Sequence, residues 1–313
     1  MGKHFILKTI LLTTILFITS AFFYRIYTVN KESIYTNVEE ITKETNQSKE
    51  ETDQIAKDEN NLILEKERLE EINSNIEKMK SDILNYLGEE SKYVSIVYYD
   101  LNNETGFEIN KDIDYRSAST AKLFTVLCLY DYVHKNILDI NEEIYYTPND
   151  YEGGTGIMQG MDLSRPYSLK ELADYSILHS DNIAFNMILR KIGYNEVINY
   201  YENIIGHNIE GTITMSASDG AKLLLKLYKN EENNPLYNDL INNLKNTDFK
   251  NRIERDLPMY SVAHKIGSYD SYIHDIGIVY TENPYILTVF TNKLGYAEDK
   301  IGDISKIIYD YNK

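Results

Sequence analysis

Ser119-Thr120-Ala121-Lys122 places a hydroxyl and an amine three residues apart, directly ahead of an apolar run from Leu123 to Tyr130. At the start of a helix that spacing stacks the two side chains on one face. The amine can then take the hydroxyl proton as the oxygen attacks an electrophile. The unpaired N–H groups of the first helical turn favour the anion that develops. Ser and Lys are common, so roughly one chance match is expected in a chain this long and the pair needs partners. Two further stretches offer them, Ser180-Asp181-Asn182 and Lys265-Ile266-Gly267-Ser268.

The elements that must position these residues follow from patterning. Tyr93 to Asp100 alternates as a strand, and Asn102-Asn103 with Gly106 turns it into a second one. The helix after Ser119 is apolar nearly all round, which predicts a buried central helix ending near His134. A polar stretch with Pro148, Gly153-Gly154 and Gly156 follows. Ser168 then caps a helix beginning Leu169-Lys170-Glu171-Leu172. His179 to Asn182 interrupts the helical pattern, which resumes over Ile183 to Ile192, Asn195 to Ile204 and Ala217 to Tyr228. Tyr260 to Lys265, His274 to Thr281 and Tyr285 to Thr291 read as strands. Asp299 to Tyr311 closes the chain with apolar residues at helical spacing. The two early strands complete the late sheet only if the chain leaves it and returns. The expected fold is therefore α+β, an antiparallel sheet flanked by both terminal helices with an all-helical lobe inserted.

Composition narrows the function. The chain has 313 residues, enough for one domain of 200 or more with accessories. Its net charge of −17 excludes phosphate-backbone binding as the main role, so no nucleic-acid partner is expected. The Glu-rich stretch before residue 92 marks a solvated segment. The one cysteine, Cys128, excludes an internal disulfide and reads as a small buried hydrophobe in the central helix. The six histidines show no metal-ligand spacing, and no metal or cofactor is expected.

Phe5 to Tyr24 is apolar enough and nearly long enough to span a bilayer. Thr19-Ser20-Ala21 is a passable cleavage site, but Phe22-Phe23-Tyr24 prolongs the apolar run past it, which favours an uncleaved anchor over a signal peptide. From Ile34 to Leu87 the sequence is charged and free of Pro. Ile34, Ile41, Ser48, Ile55, Leu62, Leu69, Ile76 and Ile83 form one seven-residue track. Its centre is weak, so a solvated helical spacer and a dimerising coiled coil both remain open. The expected organisation is an anchor over 1–30, a spacer over 31–74 and a folded domain over 75–313.

The three short motifs together resemble the S-x-x-K, S-D-N and K-T-G signature of class A β-lactamases and penicillin-binding proteins. The flanks agree. Arg116 to Phe124, Thr155-Gly156-Ile157, Leu257-Pro258 before Val262-Ala263-His264-Lys265, and Asp275 to Val279 are all similar to class A sequence. The resemblance runs from about residue 75 to the end, and the chain is identified as a member of that family. It implies Ser119 as nucleophile and Lys122 as the buried amine that deprotonates it, neutral through desolvation and the nearby Lys265 cation. Ser180 would relay the proton to the leaving nitrogen, and Asn182 would orient Lys122 and the substrate side-chain carbonyl. Lys265 would supply positive potential to Ser180 and to a substrate carboxylate. The backbone N–H groups of Ser119 and Ser268 would form the oxyanion hole, beside Gly267. The implied substrates are β-lactams or peptidoglycan peptides ending in D-Ala-D-Ala, handled outside the cell by a single-pass membrane protein.

Two departures bear on that expectation. The family's E-x-x-L-N loop, whose Glu positions the deacylating water, is absent, and the interval from Ser180 to Lys265 is short by roughly 20 residues against the family pattern. Glu196 and Glu202 fall in helical sequence and Glu210 lies too close to Met215, so none is expected to replace it. Ile266 stands where the family has Thr or Ser, at a cost of about 1–3 kcal/mol in carboxylate binding. Slow deacylation is therefore expected, with a D,D-peptidase as one alternative and a non-catalytic envelope scaffold as another. His274 is read as a strand-end structural residue, with carboxylate binding as its alternative. His264 is read as structural.

Overall fold

The computed structural model describes residues 2–312, the side chains at 3–13, at 15 and at several positions between 44 and 56 being outside that description. The chain divides into two compact units, Met1–Glu71 and Ile72–Lys313. The first consists of one helix, α1, which spans Gly2–Leu87 and runs on into the second unit. Among the described residues no helix is long and apolar enough to cross a membrane. The anchor expected at Phe5 to Tyr24 falls in part on side chains outside the description. Within the first unit the track residues Ile34, Ile41, Leu62 and Leu69 are exposed.

In the second unit the end of α1 buries Ile76, Met79, Ile83 and Leu87, three and four residues apart along one stripe. Strands β1 (Val94–Asp100) and β2 (Thr105–Ile109) follow as a hairpin. The Asp100 carboxylate ties its turn by accepting the N–H groups of Asn102 and Asn103 at 2.8 and 3.0 Å. A two-residue strand β3 (Tyr115–Arg116) leads into the central helix α2 (Ala121–His134). Every residue from Ala121 to Asp131 is buried, as the all-round apolar run requires. The short β4 (Glu143–Tyr145) and β5 (Pro166–Ser168) pair with each other. Helices α3 (Leu169–Leu178), α4 (Asn182–Ile192) and α5 (Tyr194–Ile205) come next, then the short β6 (Thr214–Met215), α6 (Ala217–Lys229) and α7 (Leu236–Lys245). Strands β7 (Val262–Tyr269), β8 (Tyr272–Val279) and β9 (Tyr285–Asn292) return to the sheet before α8 (Ala297–Tyr311).

The sheet is antiparallel in the order β2-β1-β9-β8-β7, so the first hairpin does join the late strands. Alternation along β9 shows the two faces: Tyr285, Leu287 and Val289 pack with Ile301, Ile304 and Ile308 of α8, while Ile286 and Phe290 face the helical lobe. The α+β fold with a helical lobe is the one expected from the sequence. The short ribbons β3–β6 and β4–β5, helix α7 and the length of β7 exceed that expectation. Helix α7 buries Tyr237, Leu240 and Leu244 with Leu236 and Ile241 packed beside them, a stripe that its Asn-rich sequence masked. Strand β7 runs past Lys265 to Tyr269, since pairing with β8 overrides the weak strand propensity of Gly267.

Candidate active site

Ser119 sits in a 3₁₀ turn, Ala118–Thr120, that feeds directly into α2. Ala118 before it has φ +48°, a left-handed conformation costly for a residue with a Cβ. Three contacts hold this turn. The β3–β6 ribbon brings Ser117 against Ile213, whose carbonyl accepts the Ser117 N–H at 3.2 Å and its hydroxyl at 3.1 Å. Thr120, fully buried, donates its hydroxyl back to the Ser117 carbonyl. Gly267 on β7 packs against the turn so closely that a Cβ there would lie 3.0 Å from the Ser117 carbonyl oxygen. The sheet edge and the start of α2 are thereby pressed together, with Ser119 between them.

Lys122 lies one turn along α2. Its Nζ is 2.8 Å from Ser119 Oγ, 2.7 Å from Asn182 Oδ1 and 3.4 Å from Ser180 Oγ. Burial pushes this amine down to about 8, against the opposing negative charges of Glu152 and Asp181. Lys265, 1 % exposed, approaches Ser180 Oγ from the other side at 2.9 Å and also donates to the Ile266 carbonyl. Burial, then repulsion from Lys122, holds its amine well below the usual lysine range. Ser119, Lys122, Ser180 and Lys265 thus form one hydrogen-bonded line.

Ser180 and Asn182 are delivered by the break between α3 and α4. Ser180 has φ +52°, and the strain is held by Thr155 donating to its carbonyl at 2.8 Å. Asp181 caps α4 by accepting the Ala184 N–H at 2.9 Å, and its second oxygen accepts the Met158 N–H at 2.8 Å. Gly156 makes that contact possible. It has φ +119°, and a Cβ there would fall 2.2 Å from the Asp181 carboxylate. Asn182 completes its orientation by donating Nδ2 to the Gly153 carbonyl at 2.9 Å.

A cleft of about 450 Å³ opens over this line. Of the residues singled out from the sequence, Ser119, Lys122, Asn182 and Ser268 line it. Ser180 and Lys265 are buried and lie outside the described lining, the Lys265 amine resting on Ser180 Oγ. Gly267 serves as a point of close approach. Glu196 and Glu202 are engaged elsewhere, with Tyr132 and with the Ile209 N–H, and Glu210 is exposed away from the lining.

His274 does not face the cleft. It is fully buried, donates Nε2 to the Arg116 carbonyl at 2.9 Å and accepts the Thr291 N–H at Nδ1, 3.2 Å away. Burial keeps it neutral, pushed down to about 4. It is a strut under the strand that leads to Ser119. His264 points to the other side of β7, buried against the Asp275 carboxylate at 2.9 Å.

Sequence reasoning missed Arg252, Arg116, Tyr269 and Glu152. Arg252, 1 % exposed, donates to the Gly267 and His274 carbonyls and to Ser268 Oγ at 2.6 Å. A hydroxyl that accepts from a guanidinium has its own proton free to donate, and Ser268 lines the cleft. Arg252 lies between α7 and β7 without any motif, so no local signal marked it. Glu152 precedes the Gly153-Gly154 pair, which read only as loop.

A serine open to a cleft and hydrogen-bonded to a buried lysine–serine–lysine line, on a sheet with an inserted helical lobe, defines an active-site-serine hydrolase. The comparisons with known proteins agree, and the chain belongs to the beta-lactamase enzyme family, which it matches over residues 78–312. It is 22% identical over 278 residues to the beta-lactamase VEB-1 of Pseudomonas aeruginosa, covering 76% of this chain and 92% of that one. A 106-residue stretch is 36% identical to a beta-lactamase of Bacillus licheniformis, spanning 34% of that relative's length. Among solved structures the fold is similar to TLA-3 extended-spectrum beta-lactamase (TM-score 0.69, 22% identity, 76% of this chain and 99% of that one). It is also similar to PBP-A (TM-score 0.68, 20% identity, 74% and 95%).

Proposed function

We propose that this protein is acylated at Ser119 by β-lactams or by peptides resembling D-Ala-D-Ala, and that the acyl-enzyme is then hydrolysed slowly. The observation that carries the reading is the contact of Lys122 Nζ with both Ser119 Oγ and Asn182 Oδ1. In the neutral amine the first contact reverses: Ser119 donates to Nζ and gives up its proton as Oγ attacks the carbonyl carbon. The proton passes through Ser180, held by Lys265, to the leaving nitrogen. The backbone N–H groups of Ser119 and Ser268 receive the oxyanion, and Ser268 Oγ–H is turned toward the substrate by Arg252. Support comes from a PBP-A mutant, described in its acyl-enzyme complex with penicillin G, to which this fold is similar (TM-score 0.68).

Slow hydrolysis rests on what surrounds the cleft. The chain passes from the end of α5 at Ile205 to β6 at Thr214 in a short connection, and Glu196, Glu202 and Glu210 all lie outside the lining. Glu152, the carboxylate among the described lining residues, comes from the loop before Gly153 and not from that connection, where the family carries its Glu; a general base missing there costs about 10²–10⁴-fold. The same feature favours a second reading, a penicillin-binding D,D-peptidase acting on peptidoglycan, in line with the likeness to PBP-A. Phe5 to Tyr24 supports attachment to a membrane, the acyl-transfer chemistry supports placing the folded unit on its outer side, and the seven-residue track supports pairing of two copies.

Mass spectrometry of the purified protein after mixing with a penicillin tests the chemistry. One adduct per chain on Ser119, accumulating in a burst and decaying slowly, is expected, and Ser119→Ala should abolish it. Steady turnover of tens per second without an adduct would refute slow deacylation. No adduct with any penicillin would refute the acyl-transfer reading and leave a scaffold role.

A further inference from the structure

The described lining of the cleft carries charged side chains of both signs. The Arg116 guanidinium lies 3.6 Å over the ring of Tyr269. Glu152 is the carboxylate among the described lining residues. One of its oxygens accepts from the Asn186 amide at 3.1 Å, and among the described residues it has no ion pair. Its charge is thus oriented by a neutral partner and left available to the cleft.

The position of Glu152 relates it to one part of a bound acyl donor. Its neighbour Gly153 holds the Asn182 amide through its carbonyl, and the Asn182 Oδ1 is committed to Lys122. One N–H of that amide is left to hold the carbonyl of the acyl substituent. Gly154 stays clear of it, since a Cβ there would stand 3.3 Å from Asn182 Nδ2. The substituent carbon attached to that carbonyl then lies along the wall formed by residues 152–154.

We propose that Glu152 is a specificity-determining residue that selects acyl donors carrying an ammonium group on, or close to, that carbon. The class includes penicillins with an aminoacyl side chain and peptides with a free amine at the corresponding residue. The inference rests on the acyl-transfer reading of Ser119. An exposed ion pair of this kind changes a rate by about 1.5- to fivefold.

Ampicillin and benzylpenicillin test it, because they differ by an amine at that carbon. Second-order rate constants for adduct formation on the full chain are measured at pH 6, where the amine carries its proton. The ratio of ampicillin to benzylpenicillin should exceed one, and Glu152→Gln should lower it about 1.5- to fivefold. Glu152→Lys should lower it further. An effect of Glu152 exerted only through Lys122 would move both compounds together and leave the ratio intact, which overturns the proposal. Adducts from both compounds with an unmoved ratio refute this assignment alone. Failure of both to label Ser119 refutes it together with the reading on which it rests.

Discussion

Acylation of Ser119 is expected to follow the titration of Lys122. The neutral amine is the competent base, so the rate falls as pH falls. With the amine pushed down to about 8, about 1% is neutral at pH 6 and half at pH 8. The acylation rate constant should therefore rise about 50-fold across that interval and level off above pH 9. Burial is the main cause of the depression, while Glu152 and Asp181 oppose it. Removing the Glu152 charge should consequently move the limb to lower pH. Lys122→Ala should reduce the rate about 10²–10⁴-fold and flatten the profile. Adduct formation with a penicillin, quenched at intervals between pH 5.5 and 9.5 and read by mass spectrometry, measures it. The same burial costs stability. The folded state prefers the neutral amine, so the unfolded chain binds more protons between about 8 and 10.5, and stability rises with pH across that window. Below it the full cost of roughly 3 kcal/mol remains, and Lys122→Met should raise Tm at pH 7 while removing the reaction. A flat profile from pH 6 to 8 in the unaltered protein, or a limb near 8 surviving in Lys122→Ala, would refute Lys122 as the base.

Ile266→Thr should restore a hydroxyl for a substrate carboxylate and raise penicillin acylation about 5- to 150-fold, corresponding to about 1–3 kcal/mol; an unchanged second-order rate constant would show that the carboxylate is held elsewhere. Gly156→Ala should destabilise the fold by about 2–4 kcal/mol in chemical denaturation, because its Cβ would fall 2.2 Å from the Asp181 carboxylate at φ +119°. Acylation should fall with it, since the same loop aligns Ser180 and Asn182. His264 is pushed down by burial, but Asp275 and Glu254 outweigh this and raise it above its ordinary value. Its contribution to stability is then complete below about pH 6.5 and lost as pH rises through the raised folded value; His264→Gln should flatten that part of the unfolding profile.

Much of this molecule was legible because its signals are local. The apolar run after Ser119 had to be a buried helix, since no face of it could be left to water, and Ala121 to Asp131 are all buried. Ser168 and Glu171 form the expected capping box at the start of α3. The strand-like stretches at both ends of the folded domain could be matched into one sheet from order and alternation alone. Ser119 and Lys122 could be paired from helical spacing, and Ser180, Asn182 and Lys265 were singled out by the resemblance of their motifs to the family signature; the fold brings all five together.

What only the tertiary structure decided depends on groups distant in sequence meeting in space. Lys265 proves to be buried, with its amine on the Ser180 hydroxyl and outside the described cleft lining. Arg252 reaches Ser268 and His274 holds Arg116, pairings of 16 and 158 residues' separation that no pattern encodes. The heptad track divides, with Ile34 to Leu69 exposed where described while Ile76 and Ile83 enter the core. Glu152 looked like one more loop carboxylate until the fold set it beside Asn182. A side chain's charge, protonation and direction are fixed by the dielectric and the partners around it, and those exist only once the chain has packed.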